Sequence, residues 1–249
     1  MVDGKKHRGM GVPSEDAALI GVPVNQGPAP PVCCFMVLDG HKGGKASTLA
    51  RSLLCENVRT LLSDLGPSST GADVTGALAA SVPGLFPTVD AKVMHACEEG
   101  CTATVVFAWE DAGRVLISAA NVGDSNAHAF HFESLTPHEA EPSREERDAQ
   151  GPDLAPTVGV EPRHGDGLRR PVLHTTLTAS HRIGEPAESS RLIEAGIDLL
   201  PGQTRVDGLM LSRFLGDREY KDTYPDALIS TYVPGDPARD IRHVHCITP

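Results

Sequence analysis

The ten residues FMVLDGHKGG, 35 to 44, run four apolar side chains into an aspartate, a glycine and a histidine, with two further glycines close behind. Asp39 and His41 are residue types that can hold a hard cation and supply an acid, so a strand ending this way is a candidate for both tasks. The same letters also spell an ordinary glycine-rich turn in which His41 is merely hydrogen-bonded. A second acidic pair, Glu15 and Asp16 in SED, stands just before another apolar run, where the two carboxylates alone would serve to cap a turn. Asp124, in NVGDS, is open to a similar double reading: an acidic site residue, or the cap of a hairpin turn.

The elements around these residues must do the positioning. AALIGVPV (17 to 24) and VCCFMVL (32 to 38) read as short strands separated by the proline-rich NQGPAPP. Beyond Gly44 the period changes: Ala46, Leu49, Ala50, Leu53, Leu54, Val58, Leu61, Leu62 and Leu65 recur at steps of three and four. That spacing predicts a helix with one buried face, stopped by GPSSTG. A second helix is expected to include Val89 to Cys97, its start blurred by Pro83 and Pro87. TATVVFAW, GRVLISAANV and NAHAFHFE read as a run of three strands. Residues 133 to 172 are rich in proline, glycine and charge, and read as an inserted surface loop within a single domain spanning 1 to 249. Downstream, HTTLTAS reads as ordinary structure, EPAESSRLIEAG as a short helix, VDGLMLSRFLGD as strand, turn or short helix, and the end as one strand with room for a second.

Composition narrows the classes. A chain of 249 residues, 40% apolar, can build a substantial core. Its net charge of -11 gives no bulk support to a nucleic-acid or anionic-membrane role. Cys33, Cys34, Cys55, Cys97, Cys101 and Cys246 are too sparse for a disulfide scaffold and lack the spacing of a zinc site, so they read as buried thiols. With no 18-residue apolar run, neither membrane insertion nor secretion is expected. The default setting is intracellular and cytoplasmic, with residence in a large cytoskeletal or other assembly as an alternative.

Seven ordered segments together resemble one family, the metal-dependent serine/threonine protein phosphatases of type 2C. They are SED (14 to 16), VLDGHKGG (37 to 44), EGCTATVV (99 to 106), AANVGDSNA (119 to 127), LTASHR (177 to 182), ESSRLIEAG (188 to 196) and LMLSRFLGDREYK (209 to 221). The resemblance covers roughly the first three quarters of the family domain. It implies an α+β fold of two packed antiparallel sheets flanked by helices, lacking here the usual last strands and helices. It further implies a pair of Mg²⁺ or Mn²⁺ ions activating a water that attacks phosphoserine or phosphothreonine. On that pattern Glu15 and Asp39 match metal ligands, Gly40 offers its carbonyl, and Asp16 is a supporting carboxylate. His41 matches a general acid to the leaving alkoxide, Asp124 the acidic position linked to an additional metal near the entrance, and Asp217 a fold-shaping residue.

Two departures bear on activity. The family's phosphate-binding arginine falls on Gly11, and Arg8, three residues upstream, does not inherit the role by position alone. The late Asp-Gly and Asp-Asn ligand motifs have no counterpart, since Asp236 and Asp240 in GDPARD lack the matching context. Glu15, Asp39 and Gly40 would then hold at most one ion, or none. The expectation is a phosphatase-like domain without competent catalysis, acting structurally or by binding a protein that covers an open sheet edge. Active metal-dependent hydrolysis is the first alternative. A decoy that binds phosphoprotein through Arg8, Arg182 or Arg213 is the second.

Overall fold

The computed structural model describes residues 14–25, 30–66, 68–132, 172–225, 227–229 and 241–247. Its elements, in chain order, are β1 (Ala17–Pro23), β2 (Val32–Leu38), β3 (Gly40–His41), α1 (Lys45–Ser63) and α2 (Gly71–Ala96). There follow β4 (Gly100–Cys101), β5 (Ala103–Asp111), β6 (Arg114–Val122), β7 (His128–Phe132) and β8 (Val172–Thr176). The chain then forms α3 (Pro186–Glu194), β9 (Leu215–Gly216), α4 (Arg218–Thr223) and β10 (Ile241–Ile247).

The main sheet is antiparallel, with strand order β1-β2-β5-β6-β10. Alternation along β2 sorts its side chains: Val32, Cys34, Met36 and Leu38 are buried, while Phe35 and Val37 face out. The buried set meets α1 and α2, whose Leu54, Val58, Leu62, Leu78, Phe86 and Val93 complete one core. Each such side chain, fully buried, contributes about 1.5–3 kcal/mol. The opposite face of β5 and β6 carries a smaller layer, in which Ala119, Ala127 and Leu177 pack beneath the β7–β8 hairpin. The fold is thus antiparallel sheets flanked by helices, the α+β arrangement that the resemblance implies.

Two elements differ from the sequence reading. Helix α2 starts at Gly71, well before Val89, and continues through Pro83 and Pro87. Thr70 and Asp73 form a reciprocal cap at its start, and Val74, Leu78, Val82, Phe86, Val89 and Val93 make one buried stripe. Burial of that stripe outweighs a penalty of about 3 kcal/mol for each interior proline. Strand β7, secondly, does not extend a three-strand meander. It pairs with β8, and the outer neighbour of β6 is β10. The segment read as an insertion lies outside the described residues up to 171, and Val172 already belongs to β8.

A third, very small sheet, β3-β4-β9, positions the site. It sets Gly40 against Cys101, His41 against Gly100, and Gly100 against Gly216. Three distant glycine-bearing turns are thereby brought to one place.

Candidate active site

Asp39 sits between β2 and β3, and Thr102 clamps its backbone. The Asp39 N–H donates to Thr102 Oγ1 at 3.1 Å, and the Thr102 N–H donates to the Asp39 carbonyl at 2.9 Å. Gly40 lies directly against the Glu15 carbonyl, so close that a Cβ would fall onto that oxygen. The Ser47 hydroxyl, from the first turn of α1, donates to the same carbonyl at 2.5 Å. Glu15, Gly40 and the start of α1 are therefore one packed unit, and the Glu15 residue itself is exposed.

Asp16 lies close enough to Asp39 to act on its carboxyl. Partial burial pushes the Asp39 pKa up, and the Asp16 hydrogen bond and charge and the charge of Asp124 add to the rise, while His41 pulls the other way. Asp16 and Asp39 thus lie together, with Asp124 near enough to be felt.

Asp124 is presented by the turn after β6. Gly123, at φ +108°, packs against Thr102; its N–H donates to His181 Nδ1 at 3.1 Å, and its carbonyl accepts from the His181 N–H at 2.9 Å. Ser125 is tied to the Thr102 hydroxyl at 2.9 Å, and its carbonyl accepts from the Thr104 hydroxyl. The Asp124 carboxylate accepts from Arg182 Nε at 2.8 Å. Arg182, a candidate phosphate ligand in the sequence, is spent on that carboxylate. Arg213, another candidate, is buried on Glu188 at 2.7 Å. Arg8 and Gly11 lie outside the described residues, as do Asp236 and Asp240.

His41 reaches a partner that the sequence reading assigned only a shaping role. Its Nε2 meets the carboxylate of Asp217, which is wholly buried and held in the left-handed region at φ +51°. Lys42 Nζ lies 3.2 Å from the other Asp217 oxygen and 4.5 Å from the ring centre of Tyr220. The turn carrying Asp217 is locked from below: Asp90 accepts from the Gly216 N–H at 2.7 Å and from Lys221 Nζ at 2.6 Å. Sequence reasoning missed this convergence because 176 residues separate His41 from Asp217.

Glu99 was missed as well. Its carboxylate accepts from the backbone N–H groups of Lys45 at 2.5 Å and Ala46 at 3.4 Å, capping α1 where Gly44 offers no side chain. The negative charge at that helix N-terminus is favourable. A cavity of about 760 Å³ opens beside it, lined by Ser14, Glu15, Gly44, Lys45, Thr48 and Glu99. The only hint in sequence was the acidic EEG run just before β4.

These donors are oxygens, the type that Mg²⁺ and Mn²⁺ prefer. Among the described residues, however, no three of His, Cys, Asp and Glu are arranged to hold one ion. The described residues alone do not make up a two-ion centre. Among the described residues, no helix is long and apolar enough to cross a membrane.

The family model for protein phosphatase 2C matches residues 2–128 and 166–244. A probable protein phosphatase of Dictyostelium discoideum is 26% identical over 212 residues, which cover 83% of this chain and 17% of that protein. Protein phosphatase 2C 70 of Arabidopsis thaliana is 29% identical over 187 residues, 74% of this chain and 25% of its own length. The chain thus spans a quarter or less of these curated relatives. A sex-determining protein of C. elegans shares the fold at a TM-score of 0.51 and 20% identity, with 93% of this chain and 44% of that one covered. A phosphatase of Toxoplasma gondii shares it at 0.50 and 19%, with 87% and 65% covered. With a family model matched across most of its length and the ordered Asp39, Asp124 and Asp217 turns gathered at one end of the sheets, the chain belongs to the protein phosphatase 2C family.

Proposed function

We propose that this chain is a phosphatase-family domain deficient in phosphoester hydrolysis, whose role is to bind a protein partner. The observation that carries the reading is the Arg182–Asp124 ion pair at 2.8 Å. The half-exposed Arg182 guanidinium sits on the carboxylate at the site entrance and opposes a second cation there. Gly11 at the arginine position supports the same reading, because glycine offers phosphate only a backbone N–H. Burial and the neighbouring Asp16 raise the Asp39 pKa, so a proton competes more strongly with an ion for its oxygens.

The partner face is the side of the main sheet turned away from α1 and α2. Phe35 and Val37 on β2, Ile20 on β1 and Val115 on β6 are exposed there, Ile20 at 80%. Large side chains of this kind on one sheet face suit a protein surface that excludes water.

The competing reading, an active Mg²⁺- or Mn²⁺-dependent phosphatase, draws on one observation: Asp16 beside Asp39, with the Gly40–Glu15 contact, keeps the front of the centre assembled. Titrating Mn²⁺ into the chain by calorimetry separates the two. At most one weak equivalent is expected. Two equivalents, both abolished by Asp39→Ala, would favour the enzyme.

A further inference from the structure

His128 and His174 stand on the paired strands β7 and β8, and nothing in the site above uses them. His128 is opposite Thr176 and Phe130 is opposite His174, so the two imidazoles are diagonal neighbours on one face of the hairpin. Long side chains reach one another across that diagonal. Here they meet: His128 Nδ1 and His174 Nε2 are 2.9 Å apart, with ring centres 5.0 Å apart. Phe130 stacks on His174 at 4.8 Å with an interplanar angle of 18°, which steadies that ring. Thr176 Oγ1 lies 3.4 Å from His128 Nδ1.

We propose that this pair is a site for a divalent transition ion of tetragonal preference, copper(II) foremost, with His128 Nδ1 and His174 Nε2 in adjacent coordination positions. Two nitrogens at right angles around a metal, with bonds of about 2.0–2.1 Å, lie about 2.9 Å apart, whereas a tetrahedral pair lies about 3.3–3.4 Å apart. The hydrogen bond between the rings already sets the two nitrogens 2.9 Å apart, so a small ring rotation lets one ion take both at right angles. Imidazole donors favour copper, nickel and zinc over magnesium, and among these copper(II) binds tightest. The pair is therefore chemically unlike the oxygen donors around Asp39.

Occupation needs a proton shift and a small ring rotation. In the hydrogen-bonded pair one ring donates its N–H to the other. That proton must move to the far nitrogen of its own ring, a change of tautomer with no net proton loss, so that both facing lone pairs are free. His128 is exposed, so solvent can fill the remaining coordination positions.

The test titrates copper(II) chloride into the full chain, read by calorimetry and electron paramagnetic resonance. It runs beside His128→Gln, His174→Gln and the control His95→Gln, an exposed residue in the last turn of α2. One equivalent with two equatorial nitrogens is expected, weakened about tenfold or more by either hairpin variant and unchanged by the control. The hairpin positions are at the surface, so melting temperatures should not move. Copper bound as tightly by both hairpin variants as by the unaltered chain overturns the site. So does an equivalent lost with Asp39→Ala yet kept in both hairpin variants.

Discussion

His41 Nε2 meets a carboxylate oxygen of Asp217, a residue 176 positions further along the chain and fully buried. The contact exists because β3, β4 and β9 run side by side, two residues each, and set His41 opposite Gly100 and Gly100 opposite Gly216. Gly100 is required at the centre. A Cβ there would strike the Asp217 carboxylate and the His41 ring together. One end of the main sheet is thus tied to a late turn by a charge that has no access to water.

Asp217→Asn tests that tie. Asparagine tolerates the left-handed backbone at φ +51° but removes the charge facing His41 and Lys42. Urea unfolding should show a loss of about 2–4 kcal/mol. A loss below about 0.5 kcal/mol would mean that the pair contributes packing alone.

Acid should weaken the fold through Glu188. Burial by itself would raise this carboxyl; the hydrogen bond and charge of Arg213, joined by Arg191 and Ser212, overcome burial and hold the pKa down at about 2, from an ordinary 4.5. The depressed value means stability that is complete above about 4.5 and is lost as pH falls towards about 2. The linked contribution is on the order of 3 kcal/mol. Unfolding free energies measured between pH 6 and 3 should fall for the unaltered chain and fall less steeply for Glu188→Gln. Parallel curves would remove Glu188 from the account.

Glu99→Ala should uncap α1 from a distance. It removes the acceptor for the Lys45 and Ala46 N–H groups, and Gly44 has no side chain to replace it. A loss of about 1–2 kcal/mol is expected, with Glu99→Gln recovering part of it. Hydrogen exchange at the first turn of α1 gives the local readout, and unchanged protection there would contradict the assignment.

Arg182→Ala should strengthen divalent-ion binding. Its guanidinium sits 2.8 Å from Asp124 and opposes any cation in the site. The pair is partly exposed, so the gain is small, on the order of 0.2–1 kcal/mol, or about 1.4-fold to fivefold in Mn²⁺ affinity. Weaker Mn²⁺ binding in the variant would instead make Arg182 a support of the site.

The short apolar runs of β1 and β2 and the three-and-four spacing of α1 were legible because each is a local pattern. Helix α2 was half-legible. Pro83 and Pro87 lower local helix propensity, and only the tertiary stripe from Val74 to Val93 reveals why the helix persists. At the site, Asp16 and Asp39 were singled out only through the resemblance carried by SED and VLDGHKGG, and the structure sets them side by side. What the sequence could not disclose were long-range partners: Asp217 for His41, Arg182 for Asp124, and Glu99 for α1. Each depends on register in a small sheet or on a loop crossing, and neither leaves a periodic trace.

Turnover of a phosphoserine or phosphothreonine peptide by this chain in millimolar Mn²⁺, with Asp39→Ala alongside, is the most direct test. A deficient site should give equal, background rates for both proteins. Rapid hydrolysis by the unaltered chain that disappears in Asp39→Ala would contradict it.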